Sequence, residues 1–342
     1  MHNYRSGINI KELAKILNVS PSTISRALNN HPGISKATTK KIQHEALKRG
    51  YYPNALASNF RKQKTNLIGV IIPRIDRAFH SLAISGIEEI ARKEGYYVTI
   101  FQSNNSYTRE KENARHLLES RADGVIACMA QETDNYSHFE MFKKNNIPLV
   151  FFDRVCPFIE THKVIIDDFM AASKATQHLI DIGCKKIAHI GGNQIIKIFR
   201  DRYEGYLNTL KKNDYKSSDE LIAFTDDLNI EEGYKAVQSF LDLSIRPDGI
   251  VCSNDQSAIG AIKAIKKVGL KVPKDIAVTG FSNTQAAEIV DPELTSIDDH
   301  AFEMGQAAAG LLIRQITTGQ SMIASETIVI QNDLVIRAST VR

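Results

Sequence analysis

The sequence predicts an α/β fold, in which a small all-α domain at the N-terminus precedes a larger core of parallel sheets flanked by helices. Three observations predict it. Three short amphipathic segments fill residues 8–50, basic charge is concentrated in the same part of the chain, and short Val- and Ile-rich runs alternate with helix-length segments from Leu67 onward. With 342 residues and 43% hydrophobic content, the chain is long enough for two or three domains.

The first two predicted helices are short and follow each other closely. Asn9 and Glu12 have the spacing of a capping box, which predicts the start of the first helix. Its apolar positions then repeat at helical spacing: Ile10, Leu13, Ala14 and Leu17. In the stretch NVSPSTISRALN, Ser20 can cap a second helix whose first residue is Pro21, where the missing N–H costs nothing. Two residues remain for the connection, so the pair must turn sharply.

A third predicted helix completes this N-terminal unit. Ser35 can cap it, Gly50 is a favoured residue at its end, and Ile42, Ala46 and Leu47 form its apolar face. Two short helices with a tight turn and a third supporting helix are typical of a helix-turn-helix unit. The second helix of such a unit enters the DNA major groove.

Charge supports the same interpretation independently of the motif. Residues 1–64 contain 12 Lys and Arg but 2 Asp and Glu, a net charge of +10. The rest of the chain contains 31 basic and 37 acidic side chains, a net charge of −6. A basic module ahead of an acidic body is typical of a phosphate-binding domain, although a lysine-rich solvated helix face gives a similar bias. Together with the helix-turn-helix spacing, the charge predicts DNA binding.

Short apolar runs predict the strands of the core. They are LIGVII (67–72), YVTIF (97–101), GVIA (124–127), LVFF (149–152), IAHI (187–190), GIVC (249–252) and IAVTGF (276–281). Such runs are typical of parallel strands buried on both faces. Extended segments near 161–167 and 291–297, with the closing ETIVI and DLVIR strands, predict chain crossings between two subdomains. Ligands of such folds bind in the cleft beyond the carboxyl ends of the strands.

The sequence contains no motif for catalysis or metal binding. GxSxG, HExxH and phosphate-loop patterns are absent, and the ten histidines are scattered. Cys128, Cys156, Cys184 and Cys252 are widely separated without a CxxC pair, which favours buried free thiols over a disulfide framework or a zinc site. We therefore expect no enzyme activity, no catalytic residue, no metal and no cofactor.

Targeting signals are also missing from the sequence. The first residues lack an apolar run of signal-peptide length, and no later stretch has the apolar length of a membrane span. We expect a cytoplasmic protein without a membrane partner.

Six fragments in order resemble one family of proteins over nearly the whole chain. They are IKELAKILNVSPSTISRALNN, GYYPNALA, LIGVIIP, DRYEGY, SNDQSAIGAIKAI and PELTSID. The order and spacing are similar to those of the LacI/GalR family of bacterial transcription regulators. The resemblance implies a homodimer whose helix-turn-helix heads bind a near-palindromic double-stranded DNA operator. It also implies hinge helices and a two-subdomain core similar to periplasmic sugar-binding proteins.

The resemblance implies a domain division along the chain. The helix-turn-helix domain is expected at 1–52, the hinge helix and linker at 53–65, and the effector-binding and dimerisation core at 66–342. Within the core, the expected N-subdomain is about 66–161 and 293–323, and the expected C-subdomain is about 162–292 and 324–342.

On the second helix, the family positions that read base edges fall on Pro21, Ser22 and Arg26. Arg26 is the strongest candidate, because a guanidinium can contact guanine O6 and N7 together. The alternative is a surface arginine that holds a phosphate or a neighbouring carboxylate. The remaining candidates are expected to contact phosphates: Ser20, Thr23, Ser25 and Asn29. For Ser20, helix capping alone is the alternative.

The family's hinge helix places Asn54, Ala57 and Phe60 at the positions of its Asn-x-x-Ala-x-x-Leu pattern. In the family this segment pushes an apolar wedge into the minor groove. Phe60 stands where leucine is usual, and aromatic wedges also unstack base steps. The alternative is that Phe60 packs against its dimer mate or the core.

In the cleft, the family's effector positions fall on Asp153, Arg202 and Asn254, with Phe79 after the first strand. Aspartate and asparagine bind vicinal hydroxyls, and arginine forks onto a hydroxyl pair or a carboxylate, so the trio suits a sugar.

Four further residues are candidates for the same cleft. Arg154 and Asp255 lie next to two of the trio, and each can instead form a structural ion pair. Ser282 and Asn283 stand where the family commonly has an acid, which is a departure from the usual sugar site.

The resemblance implies a sequence-specific repressor that a sugar or sugar derivative in the cleft induces. The alternative is a regulator of the same family that a corepressor or a protein partner activates. The sequence does not reveal whether the ligand weakens or strengthens DNA binding. A sugar-binding transport protein shares the core but lacks a basic helix-turn-helix head. No heptad pattern follows DLVIRASTVR, so a tail-made tetramer is not expected.

Overall fold

A computed structural model describes residues 8–51, 64–319 and 324–342, and the chain divides into two compact units at Thr65. The first unit contains α1 (Ile10–Leu17), α2 (Pro21–Leu28) and α3 (Lys36–Lys48). This is the predicted helix-turn-helix arrangement.

The helix starts of the first unit follow from local hydrogen bonding. Asn9 Oδ1 accepts from the backbone N–H groups of Lys11 and Glu12, both at 3.0 Å, and Glu12 Oε2 accepts from Asn9 N–H at 2.9 Å. This confirms the predicted capping box. Ser20 and Ser35 cap the next two helices by accepting from N–H groups three residues further on.

The three helices enclose a small apolar core. It consists of Leu13, Ala14, Ile24, Ala27, Ile42 and Ala46. Leu47, which we expected on the apolar face of the third helix, is instead 74% exposed. It lies about 100° around the helix from Ala46, and Ala46 is the residue that faces the core.

The second unit contains two six-stranded sheets with helices on their faces. The first sheet has the order β11-β5-β4-β3-β1-β2, and all its pairs are parallel. Its strands are β1 (Leu67–Ile72), β2 (Tyr97–Gln102), β3 (Gly124–Ala127), β4 (Leu149–Phe152), β5 (His162–Ile166) and β11 (Thr327–Ile330). Its helices are α4 (Ala78–Lys93), α5 (Tyr107–Glu119), α6 (Ser137–Lys144) and α12 (Ala301–Thr318).

The second sheet has the order β12-β10-β9-β8-β6-β7, and β12 alone runs antiparallel to its neighbour in the described sheet. Its strands are β6 (Ile187–Gly191), β7 (Ile222–Phe224), β8 (Gly249–Cys252), β9 (Ala277–Phe281), β10 (Thr295–Asp298) and β12 (Asp333–Val335). Its helices are α7 (Asp168–Asp181), α8 (Lys197–Lys212), α9 (Ile230–Leu241), α10 (Asp255–Lys267) and α11 (Gln285–Ile289), with a 3₁₀ turn at Asp219–Leu221. The edge strand β7 was not predicted from the sequence.

The chain crosses between the two sheets later than expected at all three places. The expected subdomain limits put β5 and β11 in the C-subdomain and β10 in the N-subdomain. Strand pairing places β5 and β11 in the first sheet and β10 in the second. The crossings therefore follow Ile166, Asp298 and Ile330. Each of these strands completes its own sheet before the chain leaves it.

The three crossings are linked to one another by hydrogen bonds. Asn332 donates from Nδ2 to the Asp167 carbonyl at 3.4 Å, which joins the third crossing to the first. His300 Nε2 lies 3.2 Å from Asp333 Oδ2, which joins the second crossing to the third. Lys174 donates to the carbonyl and side-chain oxygen of Asn332 at 2.6 and 3.0 Å. The crossings thus form one bundle.

Close helix contact covers the outer face of the first sheet. Helices α4 and α12 approach at Gly86 and Gly305, where an added Cβ would stand 2.0 Å from the carbonyl oxygens of Phe302 and Ala83 respectively. Glycine at both positions therefore permits direct backbone contact between the helices.

Two further findings concern the described residues. All four cysteines are free and buried, as expected. Among the described helices, none combines the length and the apolar character needed to cross a membrane.

Candidate functional site

The helix-turn-helix unit presents its polar side chains along α2. Pro21, Ser22, Arg26 and Asn29 are exposed, and Thr23 and Ser25 are half-buried. Ile24 and Ala27 face the core on the opposite side of the helix and are fully buried. The expected DNA-contacting positions therefore share the outward face of one helix.

Most of these polar side chains hydrogen-bond one another or the backbone of α2, whereas Arg26 does not. Ser20 Oγ lies 2.7 Å from Ser22 Oγ and 2.8 Å from Thr23 Oγ1, and it accepts from Thr23 N–H at 3.1 Å. Asn29 donates from Nδ2 to the Ser25 carbonyl at 2.7 Å. The Arg26 guanidinium has no protein partner within the part of the chain that the structure describes, so it is available to a base or a phosphate.

The expected hinge residues Asn54, Ala57 and Phe60 lie outside the described residues. Their wedge remains a prediction from the sequence.

The cleft is formed where the carboxyl ends of strands from both sheets face each other. Cys128 and Asp153 follow directly after β3 and β4 of the first sheet. Ser253 and Ser282 follow directly after β8 and β9 of the second sheet. This is the edge at which ligands of parallel sheets bind.

Arg202 is the most firmly held of the expected effector residues. It is 6% exposed, donates from Nε to Asp168 Oδ1 at 2.7 Å and donates from Nη1 to the Ser253 carbonyl at 2.7 Å. Its guanidinium carbon lies 3.5 Å from the centre of the Phe281 ring, a cation–π contact. Burial raises the pKa of Asp168 to about 6, although the charge of Arg202 opposes the rise. Arg202 is thus stacked on an aromatic ring and held in orientation through two of its three guanidinium nitrogens.

Asp153 has a less constrained environment on the opposite side of the cleft. Its backbone has a positive φ of 57°, and its Oδ2 accepts from Cys128 Sγ at 3.3 Å. Burial raises the pKa of Asp153, and the guanidinium groups of Arg154 and Arg202 oppose the rise. Over the whole residue, Asp153 is half-buried.

Arg154 and Phe199 bring the two subdomains together beside this carboxylate. Arg154 donates from Nη1 to Asn105 Oδ1 at 2.9 Å, and its Nε is buried without a partner among the described residues. The Phe199 ring of α8 lies 5.9 Å from the Arg154 guanidinium and 5.7 Å from that of Arg202. The Phe199 ring therefore lies near both guanidinium groups and adds an aromatic surface to the cleft.

Phe79 lies at the start of α4, after the first strand. It is half-buried, packs on the core of the first sheet and meets His80 edge to face at 5.4 Å.

Asn254 and Asp255 are bound to protein groups. Asn254 caps α10 by accepting from Ser257 N–H at 2.8 Å, and its Nδ2 donates to the Leu228 carbonyl at 2.9 Å. Asp255 is 1% exposed and accepts from Thr284 N–H, Thr284 Oγ1 and Ser296 Oγ at 2.7, 2.9 and 2.5 Å. Burial raises the pKa of Asp255 to about 6, against these donors. The structure therefore gives Asp255 the task of positioning the loop after β9 rather than contacting a ligand.

Near the loop after β9 lies a buried acid, Asp299, which directly follows β10 and is 2% exposed. Ser282 has a positive φ of 93°. Burial raises the pKa of Asp299 to about 7. Asn283 donates from Nδ2 to Asp298 Oδ2 at 2.8 Å. Asp298 and Asp299 thus place two carboxyl groups beside Ser282 and Asn283.

Two arginines of the first subdomain bridge the mouth of the cleft. Arg77 donates from Nη2 to the Asp227 carbonyl at 3.0 Å, and its Nη1 bonds Gln256 Oε1. Arg74 Nη1 lies 3.6 Å from Asp227 Oδ2. These contacts hold the two subdomains together on one side.

Sequence reasoning missed several of these residues. Asp168, Asp299 and Arg77 each follow a strand or its loop, which is the one signal that could have drawn attention to them. Phe199 and Phe281 become recognisable only through the two guanidinium groups that they contact.

Comparisons with known proteins agree with both units. A family model described as periplasmic binding proteins and sugar binding domain of LacI family matches residues 65–338. A second, described as bacterial regulatory proteins, lacI family, matches residues 9–54.

Individual relatives match over nearly the full length. The NTD biosynthesis operon regulator NtdR of Bacillus subtilis is 35% identical over 332 residues, which cover 97% of this chain and 99% of that protein. The HTH-type transcriptional repressor CytR of Escherichia coli K12 is 32% identical over 331 residues, covering 97% and 96%.

Solved structures share the fold. The Lac repressor dimer bound to operator and the anti-inducer ONPF has a TM-score of 0.87 at 24% identity, covering 98% of this chain and 100% of that one. The transcriptional regulator CelR–cellobiose complex has a TM-score of 0.74 at 23% identity, covering 97% and 99%. The family consists of transcriptional regulators rather than enzymes, and this chain belongs to it as a DNA-binding regulator of the LacI family.

Proposed function

We propose that the protein represses transcription in the cytoplasm as a homodimer on a near-palindromic operator, and that a carbohydrate in the cleft weakens its DNA binding. The observation that carries the ligand class is the Arg202 guanidinium, stacked on Phe281 and facing the Phe199 ring beside the Asp153 carboxylate. Aromatic faces with a few oriented polar groups are typical of sites for hydroxyl-rich ligands.

Two similar solved structures support the proposed dimer, operator and carbohydrate ligand. The Lac repressor structure is a dimer on its operator, and the CelR structure holds cellobiose. The exposed outward face of α2 and the +10 charge of residues 1–64 support operator contact by this chain.

The first experiment selects operator sequences from random duplexes with the purified full chain at fixed salt. Salt is fixed because phosphate contacts make affinity depend steeply on counterion release. The proposal expects two inverted half-sites about one helical turn apart. A consensus without inverted symmetry would contradict the dimer.

Arg26 tests direct reading of a base. Arg26→Ala should cost about 1–3 kcal/mol at one operator position and leave dimerisation intact. Arg26→Lys is the matched control, because lysine keeps the charge but loses the two-pronged contact. If Arg26→Ala keeps the base preference, Arg26 does not read a base directly.

The hinge is tested by Phe60→Ala on the selected operator and on a random duplex. An inserted wedge predicts a much larger loss of specific than of nonspecific binding. Equal losses would argue that Phe60 packs elsewhere.

The cleft is tested by screening sugars for release of the selected operator. Asp153→Asn should remove the response while operator affinity without sugar is retained, and Asp134→Asn on an exposed loop of the same subdomain should change neither. Tighter operator binding with sugar would reverse the sign and make the ligand a corepressor.

A further inference from the structure

Three side chains of different chemistry converge at the carboxyl edge of the first sheet. His80 lies on α4 after β1, Cys128 follows β3, and Asp153 follows β4. The strands β1, β3 and β4 are neighbours in the sheet, so their ends place these residues side by side. One imidazole nitrogen, the thiol sulfur and one carboxylate oxygen all lie within 4.8 Å of one another.

Two of the three ligand-atom distances lie close to those around one metal ion. His80 Nε2 lies 3.8 Å from Cys128 Sγ, and Cys128 Sγ lies 3.3 Å from Asp153 Oδ2. Tetrahedral zinc with ordinary bond lengths to nitrogen, sulfur and oxygen separates such ligand atoms by about 3.3–3.6 Å.

The imidazole is oriented as metal-binding histidines are. His80 Nδ1 lies 2.7 Å from the Arg74 carbonyl oxygen, which can only accept, so Nδ1 carries the proton. Nε2 therefore directs a free lone pair at the thiol, and a carbonyl partner of this kind usually fixes a ligating ring.

We propose that His80, Cys128 and Asp153 form a binding site for a divalent metal ion of the zinc class at the floor of the cleft. Nitrogen, sulfur and oxygen ligands together favour zinc over magnesium or calcium. The ion reaches the site past Asp153, which is half-buried, and a fourth ligand comes from water or from a molecule in the cleft.

Binding requires a proton balance. Cys128 Sγ donates to Asp153 Oδ2, so the free protein holds a thiol. On binding, the zinc–sulfur bond replaces the S–H bond, and the proton passes to the buffer. The nearby positive charge of Arg154 repels a cation, so zinc binding needs the negative charge of the Cys128 thiolate. The site goes beyond the proposed sugar response, and the two share Asp153 alone.

The test titrates the full chain, freed of metal by chelator, with Zn²⁺ by calorimetry and with Co²⁺ by absorbance. The proposal expects one ion per chain, proton release, and a thiolate-to-cobalt charge-transfer band in the near ultraviolet. Cys128→Ser should abolish the band and weaken zinc binding by at least about 100-fold, beyond the range seen for outer partners. His80→Gln, which keeps the thiol, should weaken binding similarly.

Cys252→Ser is the matched control, because Cys252 is also buried and ends a strand of the second sheet. It should keep the band and the affinity. Absence of the band in the unaltered chain, or its survival in Cys128→Ser, would overturn the proposal. Circular dichroism of each metal-free variant separates lost ligands from lost folding, and operator binding without zinc reports separately on the proposed regulator.

Discussion

The two sides of the cleft differ in how firmly their polar groups are held. In the second subdomain, Asp255 accepts three protein hydrogen bonds, and Arg202 is fixed by Asp168 and the Ser253 carbonyl. In the first, Asp153 has one sulfur donor, and Arg154 Nε has no partner among the described residues. One side is pre-organised for binding, and the other keeps polar capacity for a ligand to use.

The largest expected effect comes from breaking the buried pair on the pre-organised side. Arg202→Met leaves Asp168 buried without its cation and should lower the free energy of unfolding by about 3–5 kcal/mol, measured by urea denaturation. Adding Asp168→Asn should restore part of the loss, because the uncompensated charge is removed. Equal losses in the single and double variants would show that the unpaired Asp168 charge is not the cause of the loss.

A pH effect on the same side should be on the order of a few kcal/mol. Burial raises the pKa of Asp299 from 3.8 to about 7, so between these values the folded state holds a proton that the unfolded chain has released. The free energy of unfolding should therefore fall as pH rises through this window. Asp299→Asn should flatten that fall in denaturation curves at pH 4–8, and an unchanged slope would contradict the assignment.

Removing Asp255 should have a smaller effect. Asp255→Ala leaves Thr284 N–H and Ser296 without an acceptor in a buried site, which costs about 1–3 kcal/mol. Asp153→Asn on the opposite side should cost less than about 1 kcal/mol, because asparagine tolerates its positive φ and the site is less densely bonded. Equal losses from the two variants would remove the difference between the sides.

The smallest expected change in stability comes from the bridge at the cleft mouth. Arg77→Ala should alter the free energy of unfolding by less than about 1 kcal/mol, because Asp227 is 41% exposed. It should instead open the cleft, which small-angle scattering would detect as a larger radius of gyration. Arg92→Ala, which removes an exposed pair with Glu88, serves as the control and should leave the radius unchanged.

The strands were largely predictable because burial on both faces produces uninterrupted apolar runs. LIGVII, GVIA, LVFF and GIVC coincide with β1, β3, β4 and β8. The crossings were placed too early and β7 was missed, because sheet membership depends on partners far away in the sequence. His162 pairs with Val150, for instance, and Ile328 with Val164.

The sequence predicted only those residues of the candidate site that lie in recognisable motifs, such as Arg202 and Asp153. Asp299 lies near Ser282, and Phe281 stacks beneath Arg202, through contacts that exist only after the second sheet has formed. Which carboxylates are satisfied by protein donors is likewise decided by tertiary structure, as Asp255 illustrates.

The bundled crossings restrict how the two subdomains can move. Two subdomains joined by a single connecting segment can bend, twist and slide relative to each other. Three links held side by side through Asn332, Asp167 and the His300–Asp333 contact oppose twisting and sliding and leave bending as the softest motion. A ligand that closes the cleft therefore acts mainly on one bending motion of the two subdomains.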